Sequence, residues 1–489
     1  MLGRSPASVH RILRSMSRNV DTDNNAVLSY LAAAGLGVAL TATVLLGKPP
    51  FWAMAAGTAI ASSCAALRLG SPGDPGTRKM VLKFASRGAS RVLNVIVLIA
   101  LVNSMTAVWF HSGTIQGLVY YGLMVVSPRY VALAGLMLSV LLCTLIGSSV
   151  GTVATVGMAV MGIARALGVP EAPVAGAIMS GAIFGDRVSF LSPIYHLTVD
   201  LTGSDPRKAT RRLLATGWPS LSICAVFAVA SGLRMGYGQV STGLSWSAEF
   251  LGALRQSAKI SPWVLLPTAL VILLAMKRVP VRLCLTVGLI VAAAIAVLYQ
   301  GEPPLRVVEG ALIGYASRSP DPRIAALLHS GGIRGAANML LLLLFAGMYT
   351  GIMESSGMMD EVSSGLVSKL TTRRAFLAGA MGISVFSAAL ASNQAMAVII
   401  PARAMDKKRR ELGILPEDFA GALGDSGVAA AGVIPWNVMA VMCSGSLQVP
   451  PLAYAPYTLL AVSLPLFGLC LAFRPQRSAV PAVRDGPIA

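Results

Sequence analysis

Helix-length apolar segments follow one another along this chain, at residues 26–47, 51–67, 92–110, 213–233, 262–276, 281–299, 336–353 and 452–473. Each is about long enough to cross a hydrocarbon layer of about 30 Å, some with tilt. Charged residues are 12% of the 489, against about 25% in ordinary soluble domains, so too few remain to keep such segments in water. This excludes a water-soluble enzyme, a disordered chain and a secreted disulfide scaffold. It predicts an all-α polytopic membrane protein, whose helices satisfy their own backbone hydrogen bonds.

The balance of 39 basic and 20 acidic residues gives a net charge of +19. In a soluble protein that would point to nucleic acid. Here the basic residues sit in short runs between apolar segments, as cytoplasmic loops do, so the expected partner is the lipid bilayer and no nucleic acid. Arg4, Arg11, Arg14 and Arg18 precede the first apolar segment, with no clear small-residue cleavage site after it. The segment reads as a first transmembrane helix with a cytoplasmic N-terminus. The six cysteines lie in apolar stretches without CxxC spacing, and the four histidines form no HxxxH pair. They read as packing residues, with no bound transition metal or other cofactor expected.

Two regions, 130–164 and 375–405, are apolar but interrupted by small polar residues. Each is followed by an apolar stretch, 172–199 and 419–445, broken near its middle by Gly, Asp, Ser or Pro. Adding 245 to the residue number aligns Gly147-Ser148-Ser149 with Ser392-Asn393-Gln394, and Leu167-Gly168-Val169 with Leu412-Gly413-Ile414. Gly185-Asp186 then matches Gly424-Asp425 after a six-residue deletion. The shift is half the chain, which reads as an internal duplication. The expected organisation is a cytoplasmic tail (1–25), repeat one (26–234), a linker (235–261), repeat two (262–473) and a cytoplasmic C-terminal tail (474–489).

The basic runs fix an expected topology. Arg78, Lys79, Lys83, Arg87 and Arg91, then Arg207, Lys208, Arg211 and Arg212, then Lys277, Arg278 and Arg282, the 403–410 run, and Arg474 with Arg477 all fall on one side under a single arrangement. In it each repeat has three spans, a re-entrant hairpin, a broken span and a final span. Five crossings is odd, so the two repeats have inverted topology. The loop at 300–335 is the exception, since it would carry Arg306, Arg318, Arg323 and Arg334 on the outside, together with Glu302, Glu309 and Asp321.

Unwound backbone at membrane depth is tolerated only where it faces protein or a wet cavity, and there its carbonyls and helix ends can hold an ion. The hairpin turns are expected at Ser148, Ser149 and Thr152 and at Asn393 and Gln394, whose oxygens suit Na⁺ or a polar substrate. The same residue types also serve ordinary helix packing. Asp186 and Asp425 fall in the two broken spans. An acid at mid-membrane is costly unless paired, and a carboxylate there can bind Na⁺ or take up H⁺. The bland alternative is that Asp186 pairs with its neighbour Arg187, or that either acid lies in a solvated loop. Ser189 and Ser192 in repeat one, and Ser426 and Asn437 in repeat two, complete the candidate ion or substrate site, with helix capping as the alternative. A Na⁺ site is expected at Asp186, Ser149, Asn393 and Asp425. Glu354 reads as an interfacial, solvated acid and the 403–410 run as a solvated loop.

At these residues the sequence resembles the NhaC-type sodium/proton antiporter family. The resemblance rests on Gly113-Thr114-Ile115 with Tyr120-Tyr121-Gly122-Leu123, 147–162, Ala175-Gly176-Ala177-Ile178, Gly185-Asp186-Arg187, Ser330-Gly331-Gly332-Ile333, Asn393-Gln394, Pro401, Asp425-Ser426-Gly427 and Ile434-Pro435-Trp436-Asn437. It implies exchange of Na⁺ for H⁺ across a cell membrane, some relatives exchanging organic acids or amino acids instead. It also implies a homodimer, in which a carrier domain slides like an elevator against a fixed scaffold. The family usually continues Ser-Pro-Leu-Ser-Asp-Thr-Thr after its Gly-Asp-basic step. Here a second acid is replaced by Pro193 and two threonines by Ile194 and Tyr195, and the Trp expected in the first hairpin is Val150. The leading expectation is a secondary antiporter, Na⁺ out and H⁺ in. The alternative is a cation-coupled exchanger of a small organic acid or amino acid. No nucleophile–base pair or GxxxxGK[ST] phosphate loop supports an enzyme or an ATP-driven pump.

Overall fold

The computed structural model describes residues 6–46, 48–70, 73–125, 127–234, 258–277, 279–316, 329–330, 332–367 and 370–473. Arg4, most of the linker, Arg278, Arg318, Asp321, Arg323 and the 474–489 tail lie outside the described residues.

The chain opens with three long helices, α1 (Pro6–Leu45), α2 (Phe51–Leu69) and α3 (Pro75–His111). Asp74 starts α3, its side chain accepting the Thr77 N–H at 2.9 Å with Pro75 at the first helical position. Hydrogen bonds from the Thr77 backbone and hydroxyl hold the Asp74 carboxyl below its ordinary range. After α4 (Thr114–Val125) comes a helical hairpin of α5 (Val131–Ile146) against α6 (Ser149–Thr152) and α7 (Met158–Ala166), the last two joined by a π-helical turn at Val153–Gly157. Then α8 (Glu171–Val188) and α9 (Pro193–Thr202) form one helix pair bent by 46°, followed by α10 (Pro206–Arg234).

The second half begins with α11 (Leu266–Met276) and α12 (Val281–Leu298). The 300–335 loop carries α13 (Pro304–Ile313), a two-residue antiparallel pairing of β1 (Tyr315–Ala316) with β2 (His329–Ser330), and α14 (Gly332–Gly335). That pairing is the one departure, among the described residues, from an all-α fold. The order seen in the first half then recurs. α15 (Ala337–Ser355) corresponds to α3 and α16 (Met358–Val367) to α4. The hairpin of α17 (Arg373–Leu390) and α18 (Met396–Glu411) corresponds to α5–α7. A broken stretch of α19 (Pro416–Asp425), α20 (Gly427–Ala430) and α21 (Val438–Leu447) follows, then α22 (Pro451–Tyr454) and α23 (Leu459–Ala472).

Among the described residues four helices are long and apolar enough to span a membrane, and six spans result if each of two bent pairs counts as one; the second pair, α21 with 451–457, bends by 88°. The chain is a multi-pass membrane protein. α3 and α15 touch backbone to backbone: a Cβ on Gly88 would lie 2.0 Å from the Gly347 carbonyl oxygen, and one on Gly351 2.5 Å from that of Phe84. Small residues permit such close approach where lipid supplies no hydrophobic drive between helices. The 403–410 run is a correction to the sequence reading: it is the C-terminal half of α18, because Asp406 bonds Arg409 and Arg410 one turn on. Glu354, half-buried, is ion-paired to the exposed Arg91 across the α3–α15 seam.

Candidate functional site

The first hairpin turns at Gly147, whose φ of +76° closes α5. A Cβ there would lie 2.4 Å from the Leu191 carbonyl carbon, so the turn is pressed against the gap between α8 and α9. Two serines shape the facing strands of chain. Ser148 caps α6 by accepting the Gly151 N–H at 3.1 Å. Ser192 caps α9 by accepting the Tyr195 N–H at 3.3 Å. Pro193 follows at the first helical position, where its missing N–H costs nothing.

Asp186 stands in the last turn of α8, 5% exposed. Ser192 donates its hydroxyl to Oδ1 at 2.8 Å and Ser149 to Oδ2 at 3.0 Å. Gln394, from the second hairpin, reaches Oδ2 with Nε2 at 3.5 Å and donates to the Val428 carbonyl at 3.2 Å. Asp186 opens on a cavity of about 540 Å³. Ser148, Ser149, Asn393 and Gln394 line it together with Thr155 from the π-helical turn; Val150, Leu191, Pro193, Ile194 and Leu197 give it an apolar side. Among the described residues lining it, Asp186 is the only carboxylate, and there is no lysine or arginine. A carboxylate held by neutral donors, away from water, can be neutralised by a proton or by a small cation. Serine hydroxyls can rotate to offer lone pairs to the cation.

Asp425 is elsewhere, which corrects the expected Na⁺ set. It ends α19, is fully buried, and pairs with Arg187; it also accepts from Thr216 Oγ1 at 2.8 Å and from Arg212 Nη1 at 3.4 Å. Arg187 donates further to the Leu213 carbonyl at 2.8 Å. Arg212 continues to Asp418 at 3.4 Å, and Asp418 to Arg373 at 2.8 Å. The bland reading that Arg187 pairs with Asp186 fails for a geometric reason, since consecutive helical side chains point about 100° apart. The sequence reading set Arg187 beside Asp186 and Arg212 in a basic loop run, and missed that both meet Asp425. A buried arginine demands an anion, but the chain number of that anion was not visible.

Thr152, Ser189, Ser426 and Asn437 are not among the residues lining the cavity. Thr152 donates to the Ser148 carbonyl at 2.9 Å and Ser189 to that of Thr144 at 2.7 Å. Ser426 donates to the Ala422 carbonyl at 2.7 Å. Asn437 caps α21 through the Met439 N–H at 3.1 Å and ties it to the second hairpin through the Ala388 carbonyl at 2.9 Å. Asn393, which does line the cavity, accepts the Ala395 N–H at 2.9 Å.

A model of the Na⁺/H⁺ antiporter family matches residues 184–473, from two residues before Asp186 to the end of α23. The chain belongs to that family. It is 27% identical over 412 residues to the Na⁺/H⁺ antiporter NhaC of Bacillus subtilis, covering 84% of this chain and 89% of that protein. It is 28% identical over 380 residues to the malate-2H⁺/Na⁺-lactate antiporter of the same organism, 76% of this chain and 79% of the relative. The arginine/ornithine antiporter ArcD of Halobacterium salinarum is 28% identical over 386 residues, 78% of this chain and 79% of ArcD. The positions at which this antiporter-family chain departs from the usual motif gather at one place. Val150, Pro193 and Ile194 line the Asp186 cavity, and Tyr195, next in the chain and buried, donates its hydroxyl to the Pro206 carbonyl at 2.7 Å.

Proposed function

We propose that this chain is a secondary antiporter, not an enzyme, that exchanges Na⁺ for H⁺ across the cell membrane. Asp186 is the group that holds one ion or the other. The observation that carries this is a buried carboxylate, met only by neutral donors, opening on a cavity between two hairpin turns. Competition of Na⁺ and H⁺ for one carboxylate couples their movements without a further energy source. Ser149 and Ser192 supply oxygens to the cation, and Gln394 and Asn393 close the far side. Asp425 takes no ion, because Arg187 and Arg212 already balance its charge. One charge therefore moves each way per cycle.

In this reading the two halves are inverted repeats with both termini cytoplasmic. The glycine seam of α3 and α15 belongs to the scaffold of a homodimer, against which the hairpins and broken helices move. A second reading is favoured by the apolar side of the cavity. Leu191, Pro193, Ile194 and Leu197 and a volume of about 540 Å³ suit an organic acid or amino acid better than a bare ion, and two relatives are named for such cargo.

The test is a proteoliposome with an acid interior and a pH-sensitive dye. Added Na⁺ or Li⁺ should dissipate the gradient without any organic solute, and Asp186→Asn should abolish the response. Silence of the native protein toward both ions selects the second reading.

A further inference from the structure

The cavity at Asp186 is far larger than a bare ion needs. Its volume is about 540 Å³, within the range of organic-molecule sites, whereas one water occupies about 30 Å³ of liquid. Asp186 stands with Ser148, Ser149, Asn393 and Gln394 on its polar side, and Val150, Leu191, Pro193, Ile194 and Leu197 face them with hydrocarbon. The departures from the usual family motif fall on the apolar side. Val150 stands where a Trp is expected, Pro193 where an acid is and Ile194 where a threonine is. The first substitution makes room, and the other two remove a charge and a hydroxyl.

Charge then decides which organic group fits. Among the described residues lining the cavity, Asp186 is the one charged side chain, with no histidine, lysine or arginine. A cargo with a carboxylate would bring a second negative charge with nothing to meet it, and a buried unpaired charge is strongly disfavoured. The described lining has no aromatic ring either, so it lacks the faces that hold a quaternary ammonium. A primary ammonium carries three N–H donors. Asp186 and Ser149, 3.0 Å apart, offer it carboxylate and hydroxyl lone pairs, the hydroxyl turning as it would for Na⁺.

We propose that the Asp186 cavity also takes a primary alkylammonium. Its N–H groups meet Asp186 and Ser149, and its hydrocarbon chain lies along Val150, Pro193 and Ile194. The cargo class is an organic base without a carboxylate of its own, which competes with Na⁺ and H⁺ for one group. The inference rests on the reading of Asp186 as the group that holds the exchanged cation, but not on that cation being Na⁺.

The test uses full-length protein in detergent and sodium-free buffer, with binding of n-butylamine, n-pentylamine and n-hexylamine measured by calorimetry. Binding is measured in place of flux because short amines dissipate a pH gradient unaided. Asp186→Asn, with its elution volume unchanged, should bind no amine beyond what the micelles take up. With that signal subtracted, each added methylene should strengthen binding about threefold to fourfold, the gain from burying one such group. 5-Aminopentanoate and tetramethylammonium should bind at least about tenfold more weakly than n-pentylamine. Val150→Trp, folded as judged by its melting temperature, should flatten the chain-length series by filling the space the hydrocarbon occupies. The proposal is overturned if no amine binds at millimolar concentration, if Asp186→Asn binds like the native protein, if added methylenes make no difference, or if 5-aminopentanoate binds as tightly as n-pentylamine. Na⁺-driven dissipation of the gradient without amine binding overturns this inference alone. Amine binding that Asp186→Asn removes, in a protein silent toward Na⁺, upholds it and overturns the sodium reading.

Discussion

Asp186 differs from every other acid paired in the interior by having hydroxyl and amide partners in place of a guanidinium. A hydrogen bond to a charged group is worth about 1.5–3 kcal/mol. Ser149→Ala and Ser192→Ala should therefore each raise the Na⁺ concentration for half-maximal gradient dissipation by about tenfold or more, with the maximal rate less affected. Competition also sets the sign of the pH effect. Where Asp186 is protonated, each unit of falling pH should raise that Na⁺ concentration by up to about tenfold, by linkage. A flat pH response would remove Asp186 from the role. The sequence made Asp186 visible, as an acid in a broken apolar stretch. It could not separate it from Asp425, because both sit in Gly-Asp steps at matching places and only the neighbour from a distant helix distinguishes them.

The hairpin turns and the helix gaps work as matched elements. Gly147 allows the first turn to touch Leu191, so Gly147→Ala meets both a crowded carbonyl and a left-handed backbone. It should leave membrane insertion intact while cutting Na⁺-driven proton flux by about tenfold, read in the same dye assay after correcting for protein per vesicle. At the α3–α15 seam, Gly88→Ala places a methyl against the Gly347 carbonyl. Overpacking of this kind costs about 1–3 kcal/mol, which a lowered melting temperature would register. The hairpins and broken spans were legible as interruptions of apolar runs by small polar residues. The extent of α18 was not, since the 403–410 charges suggest a loop until Asp406 is seen bonding Arg409 and Arg410 along a helix face.

Across the molecule, Arg187 and Arg212 from the first half reach Asp425 and Asp418 of the second, and Arg373 closes the chain of ion pairs. Removing one member of the buried pair strands the other charge, at about 3–5 kcal/mol. Arg187→Met and Asp425→Asn should each lower the melting temperature sharply, and the double variant should be more stable than either. Equal destabilisation that simply adds would mean the two side chains are not coupled. With Asp425 paired to arginines, the exchange proposed at Asp186 would carry no net charge. Its rate should therefore be the same with and without a valinomycin-imposed potassium potential, and a rate that follows the potential would require a second titrating group.

Residue order alone determined that this protein lives in a bilayer and where its apolar stretches are interrupted, because apolar length and the cost of unpaired backbone are local properties of a segment. Which acid faces a cavity and which is spent on arginines depended on the packing of α10 against α8 and α19, where side chains far apart in number meet. Charge pairing in a low-dielectric interior is decided by distance in space, and only the folded chain supplies that distance.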